Sequence, residues 1–143
     1  MFKHRKHFVL CIVILLLCGL ATCNRGHEYN FGIAATSLEF LTNAKIQLHP
    51  KGEVPFGVIK RGHGGWLRRE RHWPVPQKLF ISFRDPSGNY HEFQPELSLS
   101  KRFRGDILAV IYKENDQYQV KIITGKLDKL DDDQIIREQF KGK

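Results

Sequence analysis

From residue 29 onward, apolar side chains fall mostly on every second position, the spacing expected of strands whose two faces meet different surroundings. Tyr29, Phe31 and Ile33 alternate with Asn30 and Gly32, which predicts a strand over Tyr29 to Ser37. In Leu38 to Leu48, the residues Leu38, Leu41 and Lys45 make a poor helical stripe. Ala44, Ile46 and Leu48 alternate with Lys45, Gln47 and His49, so a second strand is predicted, strongest over Ala44 to Leu48. His49-Pro50-Lys51-Gly52 is turn chemistry, and Val54 to Ile59 is a short third strand. The run Leu79 to Phe83, the turn residues Asp85-Pro86-Ser87-Gly88-Asn89 and the resumption at Tyr90 to Phe93 read as a hairpin. Pro95 ends its second arm or sets it at an edge. Asp106 to Tyr112 is almost continuously apolar from Ile107 to Ile111, as expected of a strand covered on both faces. Glu114-Asn115-Asp116-Gln117 then turns the chain into the alternating Tyr118 to Ile122, a second hairpin.

Two stretches break this pattern. Lys60 to Pro76 holds three glycines (Gly62, Gly64, Gly65), two tryptophans, three arginines after Trp66 and two prolines, and is predicted as a long loop. After Leu127, acids at Asp131 to Asp133 precede Ile135, Ile136 and Phe140, with Lys141 and Lys143 behind, an order that favours a short terminal helix. The predicted fold is therefore an all-β, antiparallel β-sandwich of about six or seven strands over residues 29–127, followed by a helical or frayed tail at 128–143.

Ahead of this domain, Lys3, Arg5 and Lys6 precede an apolar run from Phe8 to Leu17 and the small-residue exit Cys18-Gly19-Leu20-Ala21-Thr22-Cys23. This is the layout of a secretory signal peptide over residues 1–23, short for a span of a bilayer about 30 Å thick. Leu20-Ala21-Thr22-Cys23 resembles the bacterial lipobox, with Thr22 where Gly, Ala or Ser is usual. The resemblance implies cleavage before Cys23 and lipidation of its sulfur, with residues 24–28 as a tether. Ordinary cleavage after Ala21 and an uncleaved anchor are the other two readings, and all three export the domain.

Composition narrows the picture further. All three cysteines, Cys11, Cys18 and Cys23, lie within the leader or at its border, leaving the domain without thiol or disulfide chemistry. The net charge is +8, of which three charges belong to leader cations, so the remainder is moderately basic. That suits an anionic lipid surface or an acidic partner, while export argues against nucleic acid.

Catalytic signals are weak. His63-Gly64-Gly65-Trp66 resembles the glycine-rich oxyanion loop of lipases and esterases, yet the chain has no Gly-x-Ser-x-Gly nucleophile elbow. His27, His49, His63, His72 and His91 show no ligand spacing with one another or with an acid, and they read as surface histidines needing no metal or cofactor. His91 and Glu92, neighbours on a strand, are expected to face opposite ways. No enzymatic activity is expected. The strongest candidate is a partner-binding surface built from Arg61, Trp66, Arg68, Arg69, Arg71 and Trp73, with a second basic cluster at Lys101, Arg102 and Arg104. Arg and Trp are the side chains that dominate binding hot spots. Equally, Trp66 and Trp73 could be core anchors and the arginines a solvated rim.

The lipobox-like start, the Gly62/Gly64/Gly65 loop, the Trp73-Pro74 step into Leu79 to Phe83 and the late strand Val120 to Ile123 together are similar to small bacterial envelope lipoproteins of uncharacterised families. Some of these look like immunity proteins encoded beside phospholipase effectors of type VI secretion. The resemblance implies a lipid-anchored protein facing the periplasm, outer membrane favoured by Asn24, that binds a protein such as an incoming toxin. The alternative is a structural accessory lipoprotein of a secretion or envelope complex.

Overall fold

The computed structural model describes residues 29–49, 52–68 and 74–127, together with 134, 137 and 140. The expectations for the signal peptide, Cys23 and the tether lie outside these residues.

Eight strands follow one another along the chain: β1 (Tyr29–Ala35), β2 (Leu41–His49), β3 (Gly52–Ile59), β4 (Gly65–Arg68), β5 (Lys78–Arg84), β6 (Tyr90–Phe93), β7 (Gly105–Glu114) and β8 (Gln117–Gly125). They form two four-stranded sheets, β4-β1-β7-β8 and β3-β2-β5-β6, which pack face to face as a sandwich. The expected six or seven strands become eight because Gly65–Arg68, inside the expected loop, pairs antiparallel with β1. Nor is the sandwich wholly antiparallel: β1 runs parallel to β7, with Tyr29 opposite Gly105 and Ala35 opposite Ile111. A parallel pair needs a long crossover, which the passage through the other sheet supplies.

Alternation builds the interior. Tyr29, Phe31, Ile33 and Ala35 from β1 and Ile107, Ala109 and Ile111 from β7 meet Leu41, Ile46, Leu48, Leu79, Ile81 and Phe83 from the opposite sheet, all buried. In β2 the phase slips. Leu41 and Ala44 are both buried though three residues apart, because a bulge with Asn43 at φ 50 lies between them. The outer face of the second sheet is polar, and there Lys45 donates to Glu53 at 2.8 Å and the Tyr90 hydroxyl donates to Glu92 at 2.6 Å.

The outer face of the first sheet is covered instead. Ala34, Leu108, Val110 and Ile123 are buried beneath Leu127 and Phe140, with Phe140 tilted against Tyr112 at 5.1 Å. This explains the unbroken apolar run of β7, and Gln134 and Arg137 in the covering segment are helical. At the lower end of this face the buried Asp106 carboxylate accepts from Asn30 Nδ2 at 2.7 Å and from the Leu127 amide at 2.6 Å. The carboxylate therefore ties the start of the tail to both central strands.

The two ends of the sandwich differ. The β1–β2, β3–β4, β5–β6 and β7–β8 connections all lie at one end, here termed distal. Tyr29 and Gly105 lie at the other, proximal end, where the Tyr29 hydroxyl donates to the Pro74 carbonyl at 3.1 Å.

Candidate functional site

At the distal end, on the side where edge strands β6 and β8 face each other, three connections surround a cleft of about 590 Å³. Its floor is aromatic. His91 sits opposite Phe83 in the β5–β6 register, so both side chains point inward, their rings stacked at 5.1 Å. Tyr118, on the inward phase of β8, sets its ring edge-on to Phe83 at 5.2 Å and to His91 at 4.8 Å. These three rings bridge the two sheets at their open side.

The rim is charged, and its groups are held in place. The β5–β6 turn closes with the Gly88 amide donating to the Asp85 carbonyl and the Asp85 amide donating to the Asn89 carbonyl. The Asp85 carboxylate accepts from the Asn89 amide at 2.9 Å, from Asn89 Nδ2 at 3.1 Å and from His91 Nε2 at 2.9 Å. The His91 hydrogen bond above all, and then those from Asn89, lower the Asp85 pKa from 3.8 to about 2 against partial desolvation. Ionised at neutral pH, Asp85 can only accept, so His91 donates to it from Nε2.

Across the cleft, Glu39 Oε2 accepts from Lys113 Nζ at 2.9 Å and from the Tyr118 hydroxyl at 3.2 Å. Those two bonds, Lys113 first, lower the Glu39 pKa, and the same pair raises that of Lys113. Burial is the main cause of the raised Tyr118 pKa. Asp116 completes the lining from the two-residue β7–β8 turn, where Asn115 at φ 50 and Asp116 at φ 60 form the type I′ geometry that suits a hairpin. Glu39, Asp85 and Asp116 thus face one lysine, making the cleft negative on a basic chain.

Of the basic and aromatic residues singled out in the sequence, none of the described ones lines the cleft. Arg61 lies in the tight β3–β4 turn at the distal end, its amide donating to the Ser37 carbonyl at 2.7 Å. Trp66 belongs to β4 and lies over Gly32 on the outer face of the first sheet, where a Cβ on Gly32 would come within 2.8 Å of the indole. It is 39% exposed, so one face packs and the other meets solvent. Arg68 ends β4, and Arg69, Arg71 and Trp73 lie outside the described residues. The first part of the expected loop, residues 60–68, is therefore a turn followed by a strand. Lys101, Arg102 and Arg104 sit at the proximal end, before β7.

The cleft side chains were not singled out by sequence reasoning, and His91, expected at the surface, is half-buried with its ring inward. Its orientation opposite to Glu92 is as expected. The usable signal was the hairpin itself: pairing Phe83 with His91 gives the histidine the inward phase, and an Asp at the head of a turn bonds amides a few residues on.

No family model matches the chain, and no curated protein matches it. Among solved structures it is similar to an NMR structure of a protein from Eubacterium rectale, with a TM-score of 0.55 at 16% identity over 71% of this chain and 94% of that one. The likeness is one of fold.

Proposed function

We propose that this is an exported lipoprotein, tethered by a lipid on Cys23 and facing the periplasm, whose domain binds a protein partner with its distal end. One observation carries the reading. Leu38, 76% exposed, and Phe40, 55% exposed, flank the cleft residue Glu39 in the β1–β2 connection, and the exposed Val58 and Tyr90 stand at the distal ends of β3 and β6. Tyr29, the first described residue after the leader, lies at the opposite end. Exposed apolar side chains scattered singly are unremarkable, whereas several at one end of a domain mark a contact surface. Lys60, with its ammonium 4.5 Å from the Phe40 ring centroid, adds a cation to that surface. The leader's basic, apolar and small segments support export, and the resemblance to immunity lipoproteins makes an incoming toxin the partner class. Such an inhibitor needs a rigid surface and no chemistry of its own.

Two measurements test this. Mass spectrometry of the mature amino terminus should show an acylated Cys23, and Cys23→Ser should leave an unprocessed precursor; an unmodified terminus at Thr22 in both would remove the tether. Cross-linked capture from envelope fractions should then be compared between wild type and a Leu38→Ser/Phe40→Ser variant of unchanged circular dichroism. Equal recovery of the same partner by both would displace the distal end as the binding surface.

A further inference from the structure

The four edge strands of the sandwich are not equivalent. β4 and β6 are four residues long. β3 carries Pro55, a Gly57 at φ 76, and register shifts in its pairing with β2. Each of these devices blunts an edge against further pairing. β8 has none of them: it is nine residues long and pairs with β7 through nine consecutive positions without a register shift. Its other side pairs with no strand among the described residues. Its central lysine leaves the edge open to strands without a facing cation, since Lys121 Nζ lies 5.2 Å from the Phe140 ring centroid on the outer face.

The open edge runs past the cleft, because Gln117, Tyr118 and Gln119 belong to β8 and line that space. A strand laid along β8 would send alternate side chains toward it. Within the cleft Glu39 is occupied by Lys113 and Tyr118, and Asp85 by Asn89 and His91, while Asp116 makes no ion pair among the described residues. The excess of carboxylates calls for a cation. A second copy of this chain is the wrong occupant. Antiparallel self-pairing in full register would place Lys121, the middle residue of β8, directly against its own copy, and like charges so placed repel.

We propose that β8 accepts an extended segment of a partner protein as a fifth strand, with a lysine or arginine of that segment entering the cleft beside Asp116. This rests on the reading of the distal end as a partner-binding surface and names the mode of contact. Main-chain bonds supply affinity in such additions, and the pocket for an alternate side chain supplies selectivity.

The test titrates the isotope-labelled protein with a blocked peptide alternating valine and threonine around a central arginine, and with its glutamate counterpart. At ten times its dissociation constant, the arginine peptide should slow amide exchange along the outer side of β8 by about tenfold. The glutamate peptide should not, and Asp116→Asn, which keeps a residue suited to positive φ, should weaken the arginine peptide by about two- to fivefold. No slowing in β8 with either peptide overturns the proposal. So does slowing that grows with protein concentration alone, which would mean self-pairing, and so does equal binding of both peptides. Shifts confined to residues 37–40 would overturn strand addition while leaving the distal contact surface standing.

Discussion

Asp85 shows how much one side chain can organise. It closes a turn, orients His91 and contributes a negative charge to the cleft, all through bonds that only its ionised form makes well. Its pKa in the fold, about 2, lies below the ordinary 3.8, so its contribution to stability is complete above the higher value and fades as pH falls toward the lower one. His91→Phe keeps an aromatic ring on Phe83 and removes the donor. In that variant, carboxyl NMR should show Asp85 titrating closer to 3.8, and acid unfolding should begin at higher pH. Asp106 is the buried counterpart. Asp106→Ala leaves the Leu127 amide and Asn30 Nδ2 without their acceptor, which should cost about 1–3 kcal/mol in urea denaturation. Gly32→Ala should be costly for a different reason: its Cβ would come within 2.8 Å of both the Gly65 carbonyl oxygen and the Trp66 indole. Overpacking of that kind costs about 1–3 kcal/mol.

At the scale of elements, legibility followed locality. Both hairpins and the doubly covered β7 could be read in the sequence, because turn residues and alternation sit side by side in the chain. β2 was legible only from Ala44 on, since the bulge at Asn43 breaks the phase that would have joined Leu41 to it. β4 was hidden among glycines whose reason lies elsewhere: a Cβ on Gly65 would come within 2.5 Å of the Phe56 ring from the facing sheet. The cleft was illegible for the same reason, as Glu39 meets Lys113 and Tyr118 across 74 and 79 residues of chain. In the β7–β8 turn, both central residues have positive φ and Asp116 pays a small steric cost for it. Asp116→Gly should raise stability by about 0.5–1 kcal/mol in thermal denaturation. The same change should weaken the arginine peptide, separating turn chemistry from binding.

For the molecule as a whole, the two outer faces have opposite fates, one solvated and the other covered by the chain's own end. Deleting residues 128–143 removes Phe140 from Tyr112 and uncovers part of the face formed by Leu108, Val110 and Ile123. Loss of one half-buried aromatic of this kind is worth about 1–2 kcal/mol, so the truncated chain should melt earlier and bind more of a hydrophobic dye than the intact protein. The parallel pairing of β1 with β7 carries a consequence in time. A chain that emerges amino terminus first, from a ribosome or a translocation pore, presents β1 long before the strand that must lie beside it. Central pairing in that sheet therefore waits until residues 105–114 arrive, and contacts so distant in sequence form slowly. Before then β1 has only the four-residue β4 beside it, so the first described strand is among the last to be fixed on both sides.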